Sequence, residues 1–359
     1  MQIPGFDTKL KVAGATAGLR AAASVRYAYP VQYLHDAIST LGPWAPHACL
    51  ALFLAASLLV VWRLEVLSSR GVEGTVLGTL FMPYCSGMGN LVFAFVLGLN
   101  QGDGNDVLVN CLFNNVANLT LLIGLPAVIW GMTSIPRKKG KTAAREHRMG
   151  RLALALNLVA AMFFSLAVWL LAADGMLSRT DGWLLIALFA FWQCIHVYDV
   201  KKTNLLKQRR YPRNLGVEIG LLLVGAFVVL VSTDWLVAWF HTLEWDAVSP
   251  RMLGWLSGLL MVLPNALLAF YYGANQRMDV VYTSQSGDAH ICVPLCVGIY
   301  AVFVPIATDA FLQQALLALM GLCAVHLGCV VAAGRLPRGL AILFVVAFPA
   351  FVWLGLRVG

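Results

Sequence analysis

The chain has 359 residues, of which 60% are hydrophobic and 12% are charged, and its mean hydropathy is +0.78. A soluble domain has about 25% charged residues, so this composition excludes an ordinary soluble domain and predicts an all-α integral membrane protein with several spans. The net charge of +8 falls mostly between apolar runs, where it sets orientation, and we therefore exclude nucleic acid as a partner.

The first 47 residues contain no apolar run long enough to cross a bilayer. We predict an N-terminal tail over residues 1–47, in which residues 12–29 suit either an amphipathic surface helix or a flexible segment. The first span follows over residues 48–62, with an extension to Leu67.

Spans 2 and 3 come from two runs without charged residues, Gly74–Gly102 and Val107–Pro136. Each run nevertheless contains polar residues. In the first run, a segment with several glycines ends at Asn90. In the second run, the asparagines are four residues apart, a spacing that places them on one face of a helix. That face carries Asn110, Asn114 and Asn118. Amides are costly in hydrocarbon unless they find partners, so the hairpin predicts a polar site; close glycine packing with asparagine bonds between helices is the alternative.

Seven further apolar runs bring the predicted number of spans to ten. They cover residues 152–173, 182–198, 216–240, 252–275, 280–307, 310–333 and 339–357. The loops after odd-numbered spans hold most of the lysine and arginine, including basic loops over 137–151 and 201–214. The positive-inside rule places these loops in the cytoplasm and both termini outside.

The two halves of the chain share one plan, which predicts five-helix repeats over residues 48–200 and 215–359. The basic cytoplasmic loop 201–214 joins them. In the second half, Asn265 corresponds to Asn90, and a polar stripe of Ser284, Asp288 and Cys292 corresponds to the asparagine face. Because each copy has an odd number of spans, the two copies are inverted, and a site is expected between them near the bilayer midplane.

These motifs resemble those of the cation/calcium antiporter superfamily, which includes the sodium/calcium exchangers. The first repeat reads Ser86-Gly87-Met88-Gly89-Asn90 and later Asn110-Cys111-Leu112-Phe113-Asn114-Asn115-Val116-Ala117-Asn118. The second reads Met261-Val262-Leu263-Pro264-Asn265 and later Ser284-Gln285-Ser286-Gly287-Asp288. The resemblance implies ten spans in two inverted halves and secondary transport.

The chain departs from that family at the Thr-Ser pairs, which become Ser86-Gly87 and Met261-Val262, and at the cation-binding positions. The family's two cation-binding glutamates correspond to Asn90 and Asn265. Calcium favours several anionic oxygen ligands, and the motif positions offer one carboxylate, Asp288. We therefore expect a monovalent cation, a proton or a larger organic substrate in place of calcium.

Asp288 is the strongest single candidate, because an ionisable group inside the membrane is by default a functional candidate. The predicted ion- or substrate-binding residues are Ser86, Asn90, Asn110, Asn114, Asn118, Asn265, Ser284 and Asp288. His290 and His326 are expected to be structural, Asp106 and Asp279 to be helix caps, and the eight cysteines to be small apolar residues. We expect no metal centre, no cofactor and no enzymatic activity.

The predicted function is secondary transport, most simply cation antiport with altered selectivity. A non-transporting exchanger-like partner or sensor subunit and a membrane enzyme acting on lipid are the alternatives. The expected partners are the transported cation or small solute and the lipid bilayer, and the expected location is a bacterial inner (cell) membrane. The sequence leaves the oligomeric state open.

Overall fold

The computed structural model describes residues 29–69, 82–99, 101–131, 141–206, 214–242 and 252–358, and most of these residues are helical. The helices are α1 (Tyr29–Ser39), α2 (Ala45–Ser69), α3 (Met82–Leu99), α4 (Gly104–Ala117), α5 (Ile123–Trp130), α6 (Lys141–Leu171), α7 (Arg179–Leu206), α8 (Leu215–Thr242), α9 (Met252–Ala274), α10 (Met278–His290), α11 (Val297–Phe303), α12 (Ala310–Gly328) and α13 (Arg338–Val358).

Within the described residues, eight helical segments are long and apolar enough to cross a membrane. They are Gly42–Leu67, Gly104–Trp130, Gly150–Asp174, Arg179–Tyr198, Trp255–Ala274, Met278–Phe303, Ala310–Ala333 and Arg338–Leu356. Two shorter apolar segments, Gly87–Leu99 and Gly216–Ser232, lie where spans 2 and 6 are predicted. The predicted all-α, multi-pass fold of about ten spans is confirmed.

Spans 3 and 8 are the buried centre of the molecule, and they run in opposite directions. A Cβ atom on Gly104, at the start of span 3, would lie 2.9 Å from Tyr300 and Ile306 near the end of span 8. Conversely, Pro126 and Trp130 near the end of span 3 lie against Gly273, just before span 8 begins. This antiparallel arrangement is what two inverted copies require.

Both central spans contain a widened, π-helical turn near their middle. In span 3 the turn covers Asn118–Leu122, and in span 8 it covers Ile291–Cys296 and contains Pro294. Proline has no N–H to donate, so the carbonyl of residue 290 loses its usual helical partner. Such turns frequently occur at functional sites, because they change which side chains face a neighbouring helix.

The basic segments differ from the prediction. Residues 141–151 and 201–206, which we predicted as parts of basic loops, continue α6 and α7 beyond their apolar portions. Lysine and arginine are good helix formers, so a helix that leaves the bilayer has no reason to stop at its first charged residue. The rest of these loops, at 132–140 and 207–213, lies outside the described residues.

Two smaller expectations were wrong. The residue that caps α4 is Asp103, whose side chain accepts from the Asn105 N–H at 2.9 Å; Asp106 lies within the first turn. Asp279 also lies within the first turn of its helix, α10.

A short antiparallel pairing joins the loops after spans 4 and 8, and the sequence did not predict it. The two strands are β1 (Met176–Leu177) and β2 (Ile306–Ala307).

The predicted N-terminal tail contains α1 and a short 3₁₀ turn, Gly42–Trp44, which leads into span 1. The predicted surface helix over 12–29 lies, except for Tyr29, outside the described residues. The boundaries of the two repeats, at 48–200 and 215–359, remain predictions.

Candidate functional site

The Asp288 carboxylate is the centre of a buried polar cluster. Its side chain is 1% exposed, near the middle of span 8. Three amides donate to the same oxygen, Asp288 Oδ2: Asn114 Nδ2 at 2.5 Å, Asn118 Nδ2 at 2.7 Å and Asn265 Nδ2 at 2.9 Å. Hydrogen bonds to a charged acceptor are the stronger kind, so these amides stabilise an ionised carboxylate inside the membrane.

This cluster joins the two predicted repeats. Asn114 and Asn118 come from span 3, and Asn265 and Asp288 come from spans 7 and 8. The four-residue spacing in span 3 places both asparagines on one face, and that face meets the carboxylate. Asn265 also donates to Asn118 Oδ1 at 3.3 Å, which ties the repeats together independently of Asp288.

Helix α3 packs closely against the Asp288 carboxylate at Gly87. A Cβ atom on Gly87 would lie 3.1 Å from Asp288 Oδ1 and 3.0 Å from the Ile291 side chain. Any larger residue would therefore push against the carboxylate. One turn further along, the Asn90 side chain is 1% exposed and donates to Cys292 Sγ at 3.4 Å.

Cys292 belongs to the cluster, although it is not among the site residues predicted from the sequence. Its Sγ lies 3.0 Å from Asn114 Nδ2 as well as close to Asn90. The signal was present in the sequence, because Cys292 follows Asp288 by four residues on the same stripe. The prediction that all the cysteines are small apolar residues is therefore wrong for Cys292.

Two predicted residues lie outside the immediate surroundings of the carboxylate. Asn110 donates to Ser257 Oγ at 3.1 Å and to Met261 Sδ at 3.4 Å, one turn before Asn114. Ser284 donates to the Val281 carbonyl of its own helix at 3.0 Å. For Ser86, the helix is described but the side chain lies outside the described part of the structure.

Several amide oxygens around the cluster find no donor among the described residues. They are the side-chain oxygens of Asn90, Asn114, Asn115 and Gln285. An unpaired buried polar atom is costly, so native proteins seldom retain several together without a use. Amide oxygens are ordinary ligands for hard cations, and the Asn114 side chain, which donates to Asp288 Oδ2 at 2.5 Å, carries one of them beside the carboxylate.

The two buried histidines are held by structural contacts. His290 Nε2 is 2.8 Å from the Asn157 backbone oxygen, and its ring packs edge-on against Phe164 and Trp192. His326 contacts the Leu119 carbonyl at 2.7 Å and the hydroxyl of Tyr282. Each histidine therefore links its own span to two others, as expected of a satisfied core residue.

A cavity of about 410 Å³ opens where residues 102–105, at the start of span 3, meet residues 304–309, which follow span 8. Asp103, Asp309 and Tyr300 are among its lining residues. At a rise of about 1.5 Å per residue, Asp103 lies roughly 16 Å along the helix from Asn114. The cavity is therefore separate from the carboxylate cluster.

These features define a class of protein. A buried carboxylate, contacted by polar side chains of two inverted repeats within a multi-pass bundle, is the plan of a secondary transporter. Residues 44–197 match the family model of the sodium/calcium exchanger proteins.

Solved structures show the same fold over most of the chain. The sodium-calcium exchanger NCX_Mj soaked with 2.5 mM Na⁺ and 10 mM Sr²⁺ matches with a TM-score of 0.65 and 16% identity, over 89% of this chain and 98% of that chain. The same exchanger soaked with 2.5 mM Na⁺ and 0.1 mM Ca²⁺ matches with a TM-score of 0.64 and 17% identity, over 85% and 95% respectively. No curated protein sequence matches the chain.

The resemblance to the cation/calcium antiporter superfamily is therefore confirmed, by sequence over residues 44–197 and by fold over most of the chain. A cation antiporter-like membrane transporter is the class that these findings support. The family model that matches describes exchanger proteins, which are transporters and not enzymes.

Proposed function

We propose that this protein is a secondary antiporter that selects a monovalent cation or a proton over calcium. The observation that carries the proposal is the composition of the Asp288 cluster. One carboxylate is surrounded by amides from both repeats. Within the described residues, the other buried carboxylate is Glu218, which pairs with Arg63 at 3.2 Å.

Charge balance favours a cation of charge +1. A monovalent ion neutralises the single charge of Asp288, whereas a divalent ion would leave one uncompensated positive charge in a buried site. Burying an unpaired charge is expensive, and amide oxygens reduce that cost only in part. Asn90 and Asn265 stand at the positions of the family's glutamates. Because they are neutral amides, the site carries less negative charge than two glutamates would give it.

The amides can serve two roles by rotating. As arranged, Asn114 and Asn265 direct their N–H groups toward the carboxylate, while the oxygen of Asn114 has no donor among the described residues. A half-turn of such an amide would exchange its nitrogen and oxygen and present the oxygen to a cation bound at Asp288. The cluster can therefore compensate either the bare carboxylate or the loaded one.

The position of the cluster suits alternating access. Asn114 and Asn118 belong to the first predicted repeat and Asp288 to the second, so a movement of one repeat against the other changes the contacts of the carboxylate. The same proposal assigns the protein to a bacterial cell membrane, with the basic loops facing the cytoplasm.

The test is transport in proteoliposomes with imposed sodium and pH gradients. Radioactive calcium, sodium and internal pH are followed in parallel for wild type, Asp288→Asn and Asp279→Asn. The last is a matched control, because Asp279 lies at the start of the same helix and outside the cluster. Gradient-driven sodium or proton flux that only Asp288→Asn abolishes supports the proposal.

Calcium flux of equal size would overturn the selectivity. Absence of any cation flux in all three proteins would overturn antiport and favour a non-transporting partner or sensor subunit.

A further inference from the structure

His326 reaches both central spans from span 9. Its side chain is fully buried, and its two ring nitrogens contact the Leu119 carbonyl of span 3 and the Tyr282 hydroxyl of span 8. The ring also packs against Phe344 of span 10, with 4.7 Å between the ring centroids. Four spans therefore meet at this one imidazole.

The carbonyl that His326 contacts has lost its usual helical donor. In a regular helix the Ile123 N–H would donate to the Leu119 carbonyl, four residues earlier. In the widened turn Asn118–Leu122, the Ile123 N–H donates to the Thr120 carbonyl instead. Leu119 is fully buried, and a buried carbonyl without a donor is costly. A donor from another span is therefore what the turn requires at Leu119.

His326 supplies that donor. Its Nε2 lies 2.7 Å from the Leu119 carbonyl oxygen. Because a carbonyl can only accept, Nε2 carries a proton, which leaves Nδ1 of the neutral ring to accept from the Tyr282 hydroxyl. The tyrosine therefore fixes the ring in the orientation that donates to Leu119.

The turn held in this way brings Asn118 to the Asp288 carboxylate. Asn118 directly precedes Leu119 and is the first residue of the widened turn. Its side chain donates to Asp288 Oδ2 at 2.7 Å and accepts from Asn265 at 3.3 Å. A regular turn in place of the widened one would change which side chains face the neighbouring helix by about one residue step, or about 100°. The contacts of Asn118 therefore depend on the turn.

The second buried histidine has a different kind of partner. His290 Nε2 lies 2.8 Å from the backbone oxygen of Asn157, which belongs to the long helix α6 and not to a widened turn. A carbonyl inside a regular helix keeps its own helical donor. The His290 contact thus joins two spans without deciding the shape of either.

We propose that His326 is a positioning residue for the Asp288 site. By donating to the Leu119 carbonyl, it stabilises the widened turn and thereby sets where the Asn118 amide meets the carboxylate. The inference rests on the proposed function, since the cation concerned is the Na⁺ or H⁺ that binds at Asp288. His326 does not touch that cation but determines how well it binds.

The experiment compares two replacements of His326 in the full-length protein. Glutamine can place its side-chain N–H near the position of the imidazole Nε2, whereas asparagine is one methylene shorter and does not reach Leu119. Thermal unfolding in detergent is followed during Na⁺ and pH titrations, which give the concentration of each ion at half-maximal stabilisation.

Gln313→Met is the matched control. Gln313 lies on the same helix, α12, and its side-chain N–H donates to the Ala172 carbonyl at 2.9 Å. At a rise of about 1.5 Å per residue, it lies roughly 20 Å along the helix from His326. Its replacement should lower the unfolding midpoint and leave both ion titrations unchanged.

We expect His326→Asn to shift the half-saturating Na⁺ concentration by about tenfold, or the corresponding pH by about one unit, since a hydrogen bond to a charged group contributes about that factor. The shift should have the same direction as that of Asn118→Ala, and His326→Asn should add nothing when Asn118→Ala is already present. His326→Gln should keep the wild-type value. If His326→Asn does not fold, Tyr282→Phe removes the hydroxyl that orients the ring and should shift the titration in the same direction.

A lower midpoint of His326→Asn with unchanged ion titrations would show a role in packing only and would overturn the positioning role. Equal shifts in His326→Asn and His326→Gln, or a further shift in the Asn118→Ala background, would overturn the route through Leu119.

Flux measured in parallel in proteoliposomes separates the two proposals. Asp288-dependent Na⁺ or H⁺ flux with a half-saturating concentration that does not depend on His326 leaves antiport standing and removes the positioning role. A His326-dependent ion titration in a protein without flux supports the positioning role and overturns antiport. A wild type that responds to neither ion overturns both.

Discussion

Replacing Asn265 with aspartate should convert the cluster from one suited to monovalent cations into one that holds calcium. The amide nitrogen of Asn265 lies 2.9 Å from Asp288 Oδ2. Asn265→Asp therefore places a second carboxylate beside the first with almost no change of shape. The charge of the cluster goes from −1 to −2.

The size of the effect follows from Coulomb's law. Two like charges about 4 Å apart repel by about 4 kcal/mol at an effective dielectric constant of 20. A divalent cation between the two carboxylates removes that repulsion. At roughly 1.4 kcal/mol per tenfold, the gain in Ca²⁺ affinity relative to wild type is about a thousandfold.

The assay is thermal unfolding in detergent during Ca²⁺ titration, with Na⁺ as the comparison ion. Without calcium, Asn265→Asp should unfold at a lower temperature than wild type, and calcium should raise its midpoint while leaving that of wild type nearly unchanged. Asn157→Asp is the matched control, because Asn157 is equally buried but lies beside His290. Calcium should not raise the unfolding midpoint of Asn157→Asp.

The reasoning would be refuted if calcium raised the midpoints of both variants equally. It would also be refuted if Asn265→Asp bound calcium no better than wild type.

Three further substitutions test contacts between spans by thermal unfolding. Glu218→Gln removes the carboxylate that lies 3.2 Å from Arg63 and leaves the arginine charge inside the bundle. It should lower the free energy of unfolding by about 3 kcal/mol. Tyr282→Phe removes the hydroxyl that contacts His326 and should cost about 1–3 kcal/mol. Gly182→Ala should lower the midpoint, because the new Cβ atom would lie 2.7 Å from a backbone oxygen of span 8.

Each of these has a control of the same chemistry. Glu65→Gln affects a half-exposed ion pair whose atoms are 3.9 Å apart, Tyr271→Phe changes an exposed tyrosine, and Gly216→Ala adds a methyl group with nothing within 4 Å. These controls should shift the midpoint little, and Gly216→Ala should raise it slightly, since alanine favours a helix. A control that costs as much as its partner would contradict the corresponding contact.

The composition of the cluster was largely predictable from the sequence. Asn114, Asn118, Asn265 and Asp288 were predicted because amides and a carboxylate are costly in lipid, and in the structure all three amides donate to the Asp288 carboxylate. That cost is a property of each residue in its apolar run, so it can be recognised without knowing the fold.

The boundary of the cluster was less predictable. Asn110 and Ser284 lie on the selected stripes, yet they bond to Ser257 and to the Val281 carbonyl. Cys292 lies on the same stripe and was not selected, yet it touches two asparagines. A stripe extends along the whole helix, whereas only the part at the crossing of two spans meets the opposite repeat.

The sequence by itself determined the membrane class, the approximate positions of the spans and the reduced charge of the cluster, because apolar length and charge count are local quantities. The tertiary structure alone decided which side chains donate hydrogen bonds to the Asp288 carboxylate. It brought spans 3 and 8 together antiparallel and inserted a widened turn at Asn118 and at Ile291. Each π-helical turn departs from the regular 100° step, so the facing of Asn118 and Cys292 depends on packing that no spacing rule contains.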